Sequence, residues 1–151
     1  MKHVPFYVHN GNDDFMSVEN FERFYWPGLR KTVETVIECG GVPRIYTEGN
    51  YAKKLDFFKE LPKGKCILNI IGTDPKLAKE KLGGHMCLSG GVDGTIVEFG
   101  TPEQVERNVK ETLDVLAPGG GYILDCSVSL EVAPRENLRI LFDTAREYGR
   151  Y

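Results

Sequence analysis

The chain has 151 residues, of which 41% are hydrophobic and 27% charged, as in a soluble globular domain that can bury a core. Its formal net charge is −3, from 19 basic and 22 acidic residues, and neither sign forms a long run. This balance argues against a nucleic-acid or membrane surface, so we expect a small-molecule or protein partner.

The sequence also predicts a cellular compartment. Its N-terminus lacks a signal-peptide pattern, and no window approaches the roughly 18 consecutive apolar residues of a membrane helix. The four cysteines have neither CxxC spacing nor the density of a disulfide scaffold, so we expect reduced thiols at Cys39, Cys66, Cys87 and Cys126. These features predict a cytoplasmic protein.

Short apolar runs alternate with amphipathic helices along the whole chain. The first strand is predicted at residues 4–8, and Ser17 is a good N-cap for the long helix that follows. The second strand is predicted at residues 42–46. A helix from about Tyr51 to Leu61 should follow it, because Pro62 stops helical structure.

Three further strands are predicted at residues 65–71, 86–92 and 122–124. Asp74 followed by Pro75 marks the start of a helix after the first of these strands. Residues 101–104 (TPEQ) form a capping box at the start of another helix. The last helix should begin at Pro134 and end at Gly149.

This alternation predicts an α/β fold with a parallel sheet of four to five strand–helix units and right-handed crossovers. A closed (β/α)8 TIM barrel needs eight units and about 250 residues, so residues 1–151 should form a single half-barrel domain. An open doubly wound sheet is the rival fold. Its dinucleotide-binding form needs GxGxxG between a strand and its helix, whereas the glycines at 119–121 precede a strand.

Several short motifs occur in a fixed order along the chain. They are residues 14–17 (DFMS), 21–27 (FERFYWP), 48–51 (EGNY), 61–65 (LPKGK), 84–87 (GHMC), 100–103 (GTPE), 119–124 (GGGYIL), 134–137 (PREN) and 148–149 (YG). In this order the chain resembles the C-terminal half of the uroporphyrinogen decarboxylase superfamily.

The resemblance implies a (β/α)8 barrel and either of two chemistries. One is cofactor-free decarboxylation of porphyrinogen acetates, and the other is methyl transfer between corrinoids and thiols such as coenzyme M by zinc enzymes. It also implies that the N-terminal half of the barrel, with the essential Arg and Asp of the decarboxylases, lies outside this sequence.

Catalytic side chains of such barrels lie at the C-terminal ends of strands. His85-Met86-Cys87 has the spacing of a His-x-Cys metal pair, but it begins its strand, so we predict a structural role. The resemblance instead aligns the zinc-binding His and Cys of the methyltransferases with Tyr46 and Glu48. Glu48 can bind zinc as a harder ligand than thiolate, and a solvated loop carboxylate is the alternative.

Cys126 ends the last predicted strand together with Asp125. The third zinc Cys of the methyltransferases aligns nearer Gly120, so Cys126 is only an approximate counterpart, and a buried unreactive thiol is the alternative. The functional His of the decarboxylases aligns with Val128, and its absence argues against decarboxylation.

His9 ends the first strand, where two carboxylates follow. His9, Glu48 and Cys126 would form a three-ligand zinc site with an open fourth position, although a lone loop His is more often a surface residue. We therefore predict Glu48, Cys126 and Tyr46 as catalytic residues, with packing as the simpler role for Tyr46. Arg44 lies within a strand and needs a charged partner that the sequence does not name.

The favoured function is methyl transfer in which zinc lowers the pKa of a substrate thiol and a corrinoid protein is the methyl donor. Porphyrinogen decarboxylation and a non-catalytic or assembly subunit are the alternatives. In each case open parallel edges must be covered, so we expect a second copy, forming a homodimer, or a separate N-terminal half-barrel chain.

Overall fold

The computed structural model describes residues 2–126 and 129–149, and its sheet contains five parallel strands in the order β1-β2-β3-β4-β5. They are β1 (His3–Val8), β2 (Val42–Glu48), β3 (Ile67–Ile71), β4 (Cys87–Val92) and β5 (Tyr122–Cys126). Each strand pairs with its neighbours in the chain, as in a (β/α) barrel, whereas a doubly wound sheet reverses its order at one point. The predicted α/β half-barrel is therefore confirmed.

The helical segments are α1 (Val18–Asn20), a π-helical turn (Phe21–Tyr25), α2 (Trp26–Glu38), a 3-10 helix (Leu55–Glu60), α3 (Pro75–Leu82), α4 (Gly94–Phe99), α5 (Pro102–Leu116) and α6 (Arg135–Tyr148). The predicted N-caps Ser17, Asp74 and Thr101 are confirmed, because each side-chain oxygen accepts a hydrogen bond from a backbone N–H of the first turn. Among the residues that the structure describes, no helix is long and apolar enough to cross a membrane.

The π-helical turn between α1 and α2 brings two aromatic side chains to the core. The Trp26 backbone N–H donates to the carbonyl of Phe21, five residues earlier, so both residues lie on one side of a wide turn. Both are buried, and their ring centroids lie 6.0 Å apart. The helical segment after Ser17 therefore reaches the core at Phe21 as well as at Val33.

The prediction of one helix from about Tyr51 to Leu61 is wrong in the kind of helix and in its start. Residues 51–54 contain a turn, and a 3-10 helix follows at Leu55–Glu60. The buried side chain of Tyr51 donates to the last residue of β1, and that of Lys54 donates to the loop after β1. The apolar pattern of the sequence does not contain these tertiary contacts. A second difference is α4, a helix that Asp93 caps between β4 and α5, where the sequence pattern predicted no helix.

The core lies between the sheet and its helices. One apolar group includes Ile45 and Leu68 with the aromatic residues of the first helical segments, and a second includes Val92, Val109 and Leu141. These side chains occupy the face of the sheet that the helices cover. The other face is left to form a site.

The capping box of α5 provides a test of the fold. The Thr101 hydroxyl accepts from the Gln104 N–H, and the Gln104 side chain accepts from the Thr101 N–H at 2.7 Å. We expect Thr101→Ala to lower the free energy of unfolding by about 1 kcal/mol, measured by urea denaturation. Thr32→Ala on α2 is the control and should change it by less than about 0.5 kcal/mol, and equal effects would contradict this account.

Candidate functional site

The alternation of side chains in β2 separates the core from the site. Pro43, Ile45 and Thr47 are buried, whereas the residues between them are partly exposed. Tyr46 pairs in register with Asn69 in β3, and Asn69 pairs with Ser89 in β4. These three residues therefore lie on the same face of the sheet.

Arg44 and Asp125 show that this face is concave. In a flat sheet β2 and β5 would lie about 14 Å apart, three interstrand spacings. The Arg44 guanidinium nevertheless donates directly to the Asp125 carboxylate. The sheet therefore curls around this face, as an arc of a barrel does.

A cavity of about 680 Å³ occupies the concave face and reaches the C-terminal ends of the strands. Its lining consists of Tyr7, Arg44, Tyr46, Glu48, Asn69, Ile71, Asp125, Cys126 and Ser129. These residues come from β1, β2, β3, β5 and the segment after β5, so the site belongs to the rim at which barrel enzymes bind their substrates.

A polar network forms the floor of the cavity. Asp125 accepts hydrogen bonds from Arg44, from the Asn69 side chain at 3.2 Å and from the Ser89 hydroxyl at 3.1 Å. Arg44 also donates to the Ser89 hydroxyl at 3.1 Å. Because Asn69 and Ser89 are almost fully buried, the network fixes the Arg44–Asp125 ion pair in one arrangement.

His9 and Glu48 form a pair at the rim. The Nδ1 atom of His9 lies 2.7 Å from a carboxylate oxygen of Glu48, and both side chains are about half exposed. Opposite a carboxylate, Nδ1 acts as the donor, so the neutral ring carries its basic lone pair on Nε2. This arrangement presents Nε2 as a proton acceptor.

Aromatic rings connect this pair to the floor of the cavity. The Tyr7 ring stacks on His9 with centroids 6.1 Å apart and on Tyr46 with centroids 5.0 Å apart. The Arg44 guanidinium lies 5.1 Å from the centroid of the Tyr46 ring. Tyr46 therefore helps to orient Arg44 and forms part of the wall.

The backbone around His9 is held by two tyrosine hydroxyls. Tyr51 donates to the Val8 carbonyl at 2.7 Å, and Tyr25 donates to the His9 carbonyl at 3.0 Å. Burial raises the pKa of Tyr51 above its usual range, so its hydroxyl stays a donor. On the other side, the Asn12 side chain donates to the Glu48 carbonyl at 3.2 Å.

The structure does not bring Cys126 to the other predicted zinc ligands. Cys126 pairs in register with the buried Val92, and it packs with Leu124 in the apolar group under α6, whereas Asp125 points to the concave face. Its side chain reaches only the margin of the cavity. Burial raises the pKa of the Cys126 thiol to about 11, which disfavours the thiolate that zinc prefers.

Within residues 2–126 and 129–149, no group of three or more His, Cys, Asp and Glu side chains is arranged to hold a metal ion. The His9–Glu48 pair supplies one nitrogen and one oxygen donor. These residues alone do not fit a catalytic zinc, which takes three protein ligands. Zinc binding thus stays a prediction that needs a further ligand.

The structure also places the remaining sequence candidates. His85 lies at the N-terminal edge of the sheet, where its Nε2 lies 2.9 Å from the Leu61 carbonyl, as expected for a structural residue. Val128 lies outside the described residues. The four cysteines are free thiols, and Cys39 is the exposed one among them.

Sequence reasoning missed Asn69, Ser89 and Asp125. A signal for the first two exists, because each is a polar residue within an otherwise apolar strand, and a buried polar side chain needs a partner. The partner of Arg44 became visible only through the curl of the sheet, since 81 positions separate it from Asp125.

Comparison with known proteins agrees with this geometry. The uroporphyrinogen decarboxylase (URO-D) family model matches residues 6–148, and the chain therefore belongs to this family. No curated protein matches the sequence. A solved structure with a similar fold is a methyltransferase from Methanosarcina mazei, with a TM-score of 0.78 and 20% sequence identity, over 99% of this chain and 43% of that chain.

The chain thus spans less than half the length of that methyltransferase. At 20% identity the similarity shows the fold alone. The shared fold is part of a barrel.

The reactivity of Cys126 is a direct test of its placement. With its pKa raised to about 11, only about one molecule in a thousand carries the thiolate at pH 8. We expect iodoacetamide to modify the exposed Cys39 well before Cys126 at this pH, as followed by mass spectrometry of peptides. The rate at Cys126 should rise as the pH approaches 11. Equal rates at pH 8 would contradict its burial.

Proposed function

We propose that this chain supplies the acceptor-activating half of a methyl-transfer site at the rim of a (β/α) barrel, with a small thiol as the acceptor. The observation that carries this proposal is the His9–Glu48 pair, 2.7 Å apart, at the mouth of a cavity of about 680 Å³. The methyltransferase with a similar fold supports the reaction class.

The proposed step begins with proton transfer from the thiol to Nε2 of His9. Glu48 accepts the hydrogen bond from Nδ1 and balances the positive charge that forms on the ring. The sulfur then attacks the methyl group of the donor. A carbon–sulfur bond forms, and the bond between the methyl group and the donor breaks with its electron pair leaving on the donor.

The expected methyl donor remains a corrinoid protein, which would approach the open mouth of the cavity. Zinc has no part in the proposed step, because the described residues supply only two of the three expected ligands. A general base performs the same task that the sequence assigned to zinc, namely presenting the acceptor as a thiolate.

Porphyrinogen decarboxylation receives less support from the site. A porphyrinogen with several carboxylates needs several free cationic groups, and Arg44 on the concave face is already neutralised by Asp125. Glu48 adds another negative charge close to the cavity. We therefore treat decarboxylation, and a non-catalytic assembly role, as outcomes that the assay must separate.

The open edges of the sheet call for a partner. Within the described residues, β1 pairs only with β2, and β5 pairs only with β4. Tyr7 on β1 is 59% exposed and Ile123 on β5 is 39% exposed, so both edges present apolar surface with unpaired backbone groups. The proposed partner is the other half of the barrel or a second copy of this chain.

The assay supplies the protein with methylcobalamin as donor and 2-mercaptoethanol as acceptor and measures the methyl thioether by mass spectrometry. We expect His9→Gln and Glu48→Gln to lower the turnover rate by about 100-fold or more, because each removes the general base or its orienting partner. His85→Gln is the matched control, because His85 lies at the N-terminal ends of the strands, away from the cavity, and this variant should keep wild-type turnover.

Two results would overturn the proposed function. One is wild-type turnover no faster than the uncatalysed reaction, in which case coproporphyrinogen formed from uroporphyrinogen would indicate a decarboxylase and no product an assembly role. The other is equal turnover in wild type, His9→Gln and Glu48→Gln, with folding verified by circular dichroism.

Sedimentation equilibrium tests the need for a partner. We expect the purified chain, of 17.0 kDa, to associate, and Ile123→Lys to shift it toward monomer because a charge on an edge strand opposes pairing. Thr35→Lys on the outer surface of α2 is the control. A wild-type chain that stays monomeric at all concentrations would contradict self-association and leave the other barrel half as the partner to test.

A further inference from the structure

Lys54 is a fully buried cation beside the site but outside the cavity. Its side chain has 0% exposure, and its Nζ lies 3.0 Å from an oxygen of Asp13, which is itself only 5% exposed. The same ammonium donates to the Asn12 carbonyl at 2.8 Å and to the Met16 carbonyl at 2.7 Å. The ammonium therefore has two backbone hydrogen-bond acceptors and one carboxylate as its ion-pair partner.

Desolvating a lysine is expensive, so this arrangement needs a strong local compensation. The compensation comes from Asp13 and from the rings of Phe21 and Tyr51, whose centroids lie 5.6 and 5.9 Å from Nζ. Asp13 is tied to the same segment a second time, since its other oxygen accepts from the Lys53 N–H at 2.9 Å.

These contacts all converge on the loop that carries His9. The segment after β2 binds the backbone on both sides of His9. Tyr51 donates to the Val8 carbonyl before His9, and Lys54 donates to the Asn12 carbonyl after it. Asn12 in turn donates its side-chain amide to the carbonyl of Glu48. Lys54 is thus linked to both members of the His9–Glu48 pair.

We propose that Lys54, together with Asp13, is a positioning residue that sets the distance and orientation between His9 and Glu48. The proposal rests on the proposed function for its catalytic meaning, but the geometry of the pair can be measured without turnover. Lys54 touches neither the cavity lining nor the His9 ring in these contacts, and it acts through the backbone of the loop.

The test uses Lys54→Met, which keeps most of the side-chain length and removes the charge and its donors. Lys79→Met is a matched control, because Lys79 also donates to backbone carbonyls, those of Leu116 and Gly120, at the opposite edge of the sheet. The readout is the nitrogen NMR spectrum of the histidine rings at a pH where they are neutral, with His9 assigned from His9→Gln.

We expect the Nδ1–H tautomer of His9 to dominate in the wild type and in Lys79→Met, and to fall about twofold in Lys54→Met as the ring loses its fixed orientation toward Glu48. In the methyl-transfer assay, turnover of Lys54→Met should fall about tenfold while that of Lys79→Met stays near wild type. A positioning role predicts the change in the tautomer, whereas a purely structural role lowers only the stability.

An unchanged His9 spectrum in a folded Lys54→Met variant would overturn the inference. If Lys54→Met does not fold, Asp13→Asn replaces it, since that change keeps the carbonyl contacts of Lys54 and removes only the charged acceptor. An unchanged spectrum there would overturn the inference equally. If wild-type turnover is absent but the tautomer still depends on Lys54, the proposed function fails and the positioning of the pair stands.

Discussion

Side-chain alternation in a parallel sheet is the constraint on which this structure depends. In β2 the odd positions 43, 45 and 47 are buried under the helices, so Arg44, Tyr46 and Glu48 face the opposite side together. The register then decides what each strand adds to that side, and a shift of one residue would reverse it. In β5 the same alternation places Asp125 on the concave face and Cys126 in the apolar group under α6. Of the predicted zinc ligands, the structure therefore brings His9 and Glu48 together and places Cys126 apart from them.

The curl of the sheet turns these aligned side chains into one site. It brings the guanidinium on β2 to the carboxylate on β5, and Asn69 and Ser89 fill the space between them with hydrogen bonds. Such a network restrains the partly exposed Arg44–Asp125 ion pair, because the buried Asn69 and Ser89 side chains both donate to the Asp125 carboxylate. Among the residues that the structure describes, β1 and β5 each pair with one strand only, so both have an open edge. The described strands form the base of the cavity but do not enclose it.

Two side-chain pairs with different surroundings lie at the rim, the hydrogen-bonded His9–Glu48 pair and the Lys54–Asp13 ion pair. His9 and Glu48 are about half exposed, and such a pair contributes only about 0–1 kcal/mol to stability. Lys54 and Asp13 are buried, and Lys54 donates to the backbone carbonyls of Asn12 and Met16, so these two residues hold the loop that follows His9. In the proposed function, the exposed pair exchanges a proton with the ligand. In the same proposal, the buried pair positions the loop that carries His9 for this exchange.

The sequence by itself determined the elements and their order, because apolar periodicity, capping residues and proline positions act over a few neighbouring residues. The N-caps at Ser17, Asp74 and Thr101, the five strands and the half-barrel follow from such local signals. Sequence also placed His9 and Glu48 at the rim, where the structure joins them. Only the tertiary structure decided the rest. The 3-10 helix after β2 and the partner of Arg44 depend on contacts between residues 38 or more positions apart, and the direction of Cys126 depends on strand register. No local pattern encodes those distances, because they arise when the sheet twists and curls.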